Sequence, residues 1–221
     1  MWPSPQGGRR SAAAAVIAAA LAVLPVCALW PSGAPAPSGF GDRPRAHERA
    51  AGSSTASRVG PGAAENAPGP APEPTALRVP RVALEAPVQG VGVEDDGTVE
   101  VPGDAGRAGW YRYGPAPGGS AGSAVLVGHV DDRTGALGAF AKLYEVRKGD
   151  DVLVARRDAP PVQYRVTARE VVGKDSLPDE VFRRHGRPVL TLVTCAPPYD
   201  RARGGYQRNL LVYADPARER R

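Results

Sequence analysis

From Leu77 onward, the chain alternates short apolar runs with polar turns. The runs are rich in Val, Leu and Tyr, and Gly, Pro and Asp separate them, which is typical of β-strands joined by tight loops. The pattern predicts strands at residues 77–82, 87–93, 123–130, 151–156, 161–172, 188–194 and 209–213. Helical turns are predicted only at residues 140–146 and 178–184. Many short strands with so little helix favour a mostly β fold, either a closed or a half-closed β-barrel.

The first 30 residues have a different pattern. Residues 11–29 contain no charged side chain, and they follow Arg9 and Arg10. As a helix this segment would extend roughly 28 Å, close to the ~30 Å hydrocarbon core of a bilayer. Residues 1–30 are therefore predicted to be a signal-anchor of a single-pass plasma-membrane protein, with the remainder extracellular. A cleaved signal peptide and a lipid anchor at Cys27 are the alternatives.

Residues 31–75 are dominated by Pro, Ala, Gly and Ser. A segment with so few large apolar side chains buries too little surface to offset the entropy lost on ordering the chain. We therefore expect a disordered tether at residues 31–75 and one folded domain at residues 76–221. As a flexible coil, the tether would span roughly 40 Å r.m.s. and would let the domain work away from the membrane.

The charge of the chain excludes one class of partner. Its 28 Lys and Arg exceed its 23 Asp and Glu by only five, and no stretch interleaves basic with aromatic side chains. A nucleic-acid surface would show such clustering, so we expect no nucleic-acid partner. The sequence also lacks the ligand spacings of zinc and calcium sites, and we expect neither a metal nor another cofactor.

Three chemically active side chains lie at predicted strand ends. Cys195 ends one apolar run, His129 ends another, and Arg208 begins a third. A base or a positive charge turns a thiol into a nucleophilic thiolate, and an imidazole can then protonate a leaving amine. A guanidinium can donate two hydrogen bonds to an oxyanion. We therefore predict Cys195 as nucleophile, His129 as acid–base and Arg208 as electrostatic stabiliser.

Two further residues are predicted to support this set. Asp131 would share a face with His129 on an extended strand and would orient the imidazole. Thr194 directly precedes the thiol and is predicted to support it or to contact substrate. The other cysteine, Cys27, lies in the predicted anchor, so no disulfide is expected. The simpler alternative for Cys195 is a small buried core residue.

At these residues the sequence resembles the sortase family. The matching pieces are Gly128-His129, the Thr-Leu-Val-Thr-Cys run at 191–195, and Arg208 before an apolar last strand. The segments His129-Val130-Asp131 and Gly109-Trp110-Tyr111 look most like class F sortases of high-GC Gram-positive bacteria. The resemblance covers about residues 76–215, which is nearly all of the predicted domain.

The resemblance implies a closed eight-stranded sortase barrel with a membrane-anchored N-terminus. It also implies a cysteine transpeptidase that cleaves an LPXTG-like sorting signal between Thr and Gly and forms a thioester. The acyl group would pass to an amine of a peptidoglycan precursor or of a pilin. Two alternatives stay open: a hydrolytic surface thiol protease, in which water replaces the amine, and a tethered sortase-like binding module without turnover.

Overall fold

The computed structural model describes residues 35–44 and 71–217. Within them, the chain forms strands β1 (Pro74–Val79), β2 (Leu84–Val91), β3 (Ala108–Tyr111), β4 (Ser123–Gly128), β5 (Asp151–Arg156), β6 (Ala159–Gly173), β7 (Val189–Asp200) and β8 (Gly205–Pro216). Short 3₁₀ segments cover Pro80–Val82, Ala139–Glu145, Asp179–Phe182 and Arg201–Arg203. Two of these segments coincide with the two predicted helical turns.

The strands close into one barrel in the order β1-β2-β3-β4-β7-β8-β6-β5, with β5 pairing back to β1. Neighbours are antiparallel except for β2–β3 and β4–β7, which are parallel. The parallel pair β4–β7 matters most for function, because both of its strands run toward the same edge of the barrel. The predicted mostly β, closed eight-stranded barrel is confirmed.

Alternating side chains place apolar residues on both faces of the central strands. The larger cluster fills the barrel interior and includes Leu126, Phe140, Leu192 and Leu210, all fully buried. A second cluster lies on the opposite face of β4, β7 and β8, where residues of the β6–β7 connection such as Val181 cover it. Burial on both faces explains why these strands are continuous apolar runs in the sequence.

Several strand boundaries in the structure differ from the predicted ones. β3 was not predicted, because a four-residue strand with Gly109 at its centre gives almost no periodic signal. β7 continues past Cys195 to Asp200, although the pair Pro197-Pro198 indicated a loop there. β4 ends at Gly128, so His129 follows the strand instead of being part of it.

Part of the predicted tether lies against the barrel. Within residues 35–44, Phe40 pairs with Arg169 of β6 in an isolated β-bridge. The disordered tether predicted for residues 31–75 therefore does not describe this segment. The predicted anchor at residues 1–30 and the tether portion at 45–70 lie outside the described residues. Among the residues that are described, no helix is long and apolar enough to cross a membrane.

One buried hydroxyl pair joins the strands that carry the predicted site. Ser123 Oγ of β4 lies 2.8 Å from Thr191 Oγ1 of β7, and both residues are fully buried. Thr191→Val leaves the serine hydroxyl without this partner, so we expect the free energy of unfolding to fall by about 1–3 kcal/mol. Urea titration would measure the loss. Ser123→Ala/Thr191→Val removes both hydroxyls and should recover most of it, and a still less stable double variant would contradict this explanation.

Candidate active site

The β4–β7 register brings the predicted thiol and imidazole together. Val127 of β4 pairs with Val193 of β7. His129 lies two residues after Val127, and Cys195 lies two residues after Val193. Neighbouring strands lie about 4.8 Å apart, so this equal spacing places the two side chains beside each other at one barrel edge.

An open cleft of about 1250 Å³ lies at this edge. His129, Asp131 and Cys195 all line it. The other lining residues come from four surrounding loops and from β7 and β8, and they include Asp104, Asp132, Arg133, Lys174, Pro197, Tyr199 and Tyr206. The structure thus brings three of the five predicted site residues into one concave surface.

Thr194 lies behind the cleft, not in it. It is buried, and its Oγ1 donates a hydrogen bond of 2.8 Å to the backbone oxygen of Gly128. This bond joins Thr194, which precedes Cys195, to Gly128, which precedes His129. Gly128 itself has no room for a side chain, because a Cβ there would lie 2.7 Å from the ring carbons of Phe140.

Asp131 has a different partner from the one predicted. Its Oδ2 accepts a hydrogen bond of 2.6 Å from the hydroxyl of Tyr206, whose ring packs edge-on against Tyr199 at 5.0 Å between centroids. Burial raises the pKa of Tyr206, and the neighbouring carboxylate raises it further. Tyr206 therefore stays a neutral hydrogen-bond donor over the physiological range. Sequence analysis missed this pair, because residues 75 positions apart carry no local signal.

Arg208 does not line the cleft. Across β7–β8, Cys195 pairs with Asn209, whereas Arg208 pairs with Ala196. Side chains alternate along a strand, so Arg208 projects from the opposite face to Asn209, and it is exposed. Among the described residues that line the cleft, the permanent cations are Arg133 and Lys174.

The charges around the thiol act in opposite directions. Burial raises the pKa of Cys195, which is half-buried. The ammonium of Lys174 lowers this pKa, and the carboxylate of Asp131 raises it. The backbone of Lys174 is fixed where β6 meets β8, because its N–H donates to the carbonyl of Gln207 at 3.0 Å.

A tyrosine on the interior side fixes the main chain at the thiol. The hydroxyl of Tyr144 donates a hydrogen bond of 2.7 Å to the backbone oxygen of Cys195. Tyr144 belongs to the 3₁₀ segment Ala139–Glu145, which follows the loop that carries His129. Within residues 35–44 and 71–217, no group of three or more His, Cys, Asp and Glu side chains is placed to hold a metal ion.

Several solved structures of sortases have a similar fold. Sortase C2 of pilus island 1 from Group B Streptococcus is 23% identical, with 65% of this chain and 73% of that chain covered and a TM-score of 0.50. Sortase C-1 from Actinomyces oris is 24% identical, with coverages of 65% and 72% and a TM-score of 0.50. Sortase C1 from Streptococcus agalactiae is 21% identical, with coverages of 66% and 68% and a TM-score of 0.51. All three are class C enzymes, so they do not support the predicted class F.

The family assignment comes from the sequence of the whole barrel. The search of curated proteins gives no match. A family model of the sortase domain, however, matches residues 77–217, which is well over half of the chain and includes every strand from β2 to β8. Together with the barrel and the cleft that joins a thiol to an imidazole, this match shows that the chain belongs to the sortase family of cysteine transpeptidases.

Proposed function

We propose that this sortase works at the cell surface, cleaves an LPXTG-like sorting signal and transfers the acyl product to an amine. The acceptor is an amine of a peptidoglycan precursor or of a pilin, and residues 1–30 hold the enzyme in the plasma membrane. The observation that carries the proposal is the placement of Cys195 and His129 at one edge of the barrel, in one cleft. The segments His129-Val130-Asp131 and Gly109-Trp110-Tyr111 favour class F.

The chemistry follows from these two side chains. The thiolate of Cys195 attacks the carbonyl carbon of the scissile bond, and the tetrahedral intermediate then expels the amine of the following residue. His129 gives that amine its proton, and a thioester remains on the enzyme. An incoming amine attacks the thioester, loses a proton to the imidazole and releases Cys195. The same cleft must hold the peptide and later admit the acceptor.

Two cations have separate roles in this proposal. Lys174 lines the cleft and stabilises the thiolate of Cys195 before attack, since its charge favours the ionised form. Arg208 stabilises the oxyanion that forms after attack. Its exposed position next to Asn209, the partner of Cys195, requires the side chain to turn toward the bound peptide.

Product analysis tests the proposed function against its alternatives. We expect an LPXTG-containing peptide to be joined to an added amine such as triglycine, while Cys195→Ala forms neither a thioester nor product. Mass spectrometry of the products measures this. Hydrolysed peptide as the sole product at saturating amine would favour the thiol protease. No cleavage and no acylated Cys195, with peptide still bound, would favour the binding module.

His129→Ala should separate thiol chemistry from peptide turnover. We expect Cys195 to remain reactive toward a small alkylating agent, whereas peptide cleavage falls by roughly 10²–10⁴-fold because the leaving amine lacks its proton donor. Alkylation kinetics and peptide kinetics on the same preparation measure the two effects. Near-normal cleavage by this variant would exclude His129 as the acid.

Lys174→Met and Arg208→Met should give different defects. Removal of the Lys174 charge raises the pKa of the Cys195 thiol, so the midpoint of its pH–alkylation profile should move to higher pH. Asp131→Asn removes a carboxylate that raises the pKa, so its midpoint should move to lower pH. Arg208→Met should leave the midpoint unchanged and lower kcat/KM by roughly 10²–10³-fold. A shifted midpoint in Arg208→Met, with none in Lys174→Met, would reverse the two roles.

A further inference from the structure

Residues 38–43, here called the strap, lie outside the segment that matches the sortase family model and yet make specific contacts with the barrel. Phe40 and Arg169 exchange two backbone hydrogen bonds of 2.8 Å each. Arg43 donates to both carboxylate oxygens of Glu170, at 2.7 and 2.9 Å. β5 pairs with β6 only as far as Arg165, so the strap takes the edge of β6 that β5 leaves open.

Two glycines allow this close approach. A Cβ at Gly39 would lie 2.9 Å from the backbone oxygen of Arg169. A Cβ at Gly41 would overlap the backbone oxygen of Thr167, and Gly41 also has a φ of +71°, where side chains are strained. Close pairing of the strap with β6 therefore requires these two glycines, so the contact is specific to the sequence of the strap.

The strap also satisfies a buried charge. Arg169 is 8% exposed, and burial lowers its pKa. Its Nε and Nη2 donate to the backbone oxygen of Ser38 at 3.1 and 2.7 Å, and its guanidinium lies 5.0 Å from the ring centroid of Phe40. Its Nη1 donates to the backbone oxygens of Tyr144 and Val146 at 2.6 and 3.1 Å. Loss of the strap would leave part of this guanidinium without acceptors, which is costly for a buried cation.

The contacts of Arg169 continue to the thiol. Arg169 holds the backbone of Tyr144, and the hydroxyl of Tyr144 donates to the backbone oxygen of Cys195 at 2.7 Å. Three consecutive contacts therefore connect the strap with the main chain of the predicted nucleophile. Such a path is a physical route for coupling between the strap and the thiol.

We propose that the docked strap positions Cys195: it fixes Arg169, which fixes Tyr144, whose hydroxyl holds the main chain at the thiol. The inference rests on the proposed role of Cys195 as nucleophile. Arg169 and Tyr144 are positioning residues, since they act through the main chain of Cys195. Residues upstream of the family domain thus contribute to the reaction.

The experiment uses the full chain. Gly41→Ala should displace the strap, and Gly97→Ala is the matched control, because Gly97 also has a positive φ (+85°) but an added Cβ would meet open space. Hydrogen exchange at the amides of Phe40 and Arg169 reports docking. We expect Gly41→Ala to lower kcat by roughly 3- to 30-fold with little change in KM, and Gly97→Ala to match the unaltered chain.

A double-mutant cycle tests the path. Tyr144→Phe keeps the ring and removes the hydroxyl, so it should lower kcat as Gly41→Ala does, and the double variant should be no slower than the slower single variant. Additive losses would overturn the proposal. Normal kcat with exposed strap amides would also overturn it. The proposal is also overturned if the strap amides of the double variant Gly39→Ala/Gly41→Ala stay protected from hydrogen exchange, because docking would then not depend on the two glycines.

A second readout separates this inference from the proposed function. The rate of Cys195 alkylation needs no sorting signal, and peptide mass spectrometry distinguishes Cys195 from the chain's other cysteine, Cys27. If the unaltered chain processes no peptide, the proposed function fails. The positioning inference still stands in that case if Gly41→Ala and Tyr144→Phe change the alkylation rate alike and non-additively, and it fails if neither variant does.

Discussion

The parallel pairing of β4 with β7 is the constraint on which the site depends. Two strands distant in sequence must run side by side in equal register for His129 and Cys195 to meet at one edge. Apolar packing on both faces holds the pair, and the hydrogen bond from Thr194 to Gly128 fixes it next to the reactive side chains. A slip of one residue would move the thiol to the other face of β7 and away from the cleft.

The surroundings of the Cys195 thiol have opposing effects on its reactivity. Burial protects Cys195 from solvent but favours its neutral, unreactive form. Asp131 adds to that effect, while Lys174 opposes it from the end of β6. The hydrogen bond from Tyr206 occupies one oxygen of the Asp131 carboxylate and fixes where that negative charge lies. The reactivity of the nucleophile therefore depends on loops outside the strand that carries it.

Much of the fold was predictable because its signals are local. Continuous apolar runs identified most strands, and the residues that follow them identified the thiol and the imidazole. The face on which Arg208 lies was not predictable, because it depends on the pairing register between β7 and β8, which places Asn209 and not Arg208 opposite Cys195. The strap was missed because two glycines and one phenylalanine in a Pro/Ala-rich stretch form no periodic pattern.

Docking of residues 38–43 also changes the geometry expected at the membrane. With an anchor at residues 1–30, the chain free to separate barrel from bilayer is residues 31–37, not the full stretch up to β1. Seven extended residues reach at most roughly 25 Å, whereas the 43 residues at 31–73 would reach roughly 150 Å. With the proposed anchor, the barrel would therefore be held within a short distance of the outer leaflet.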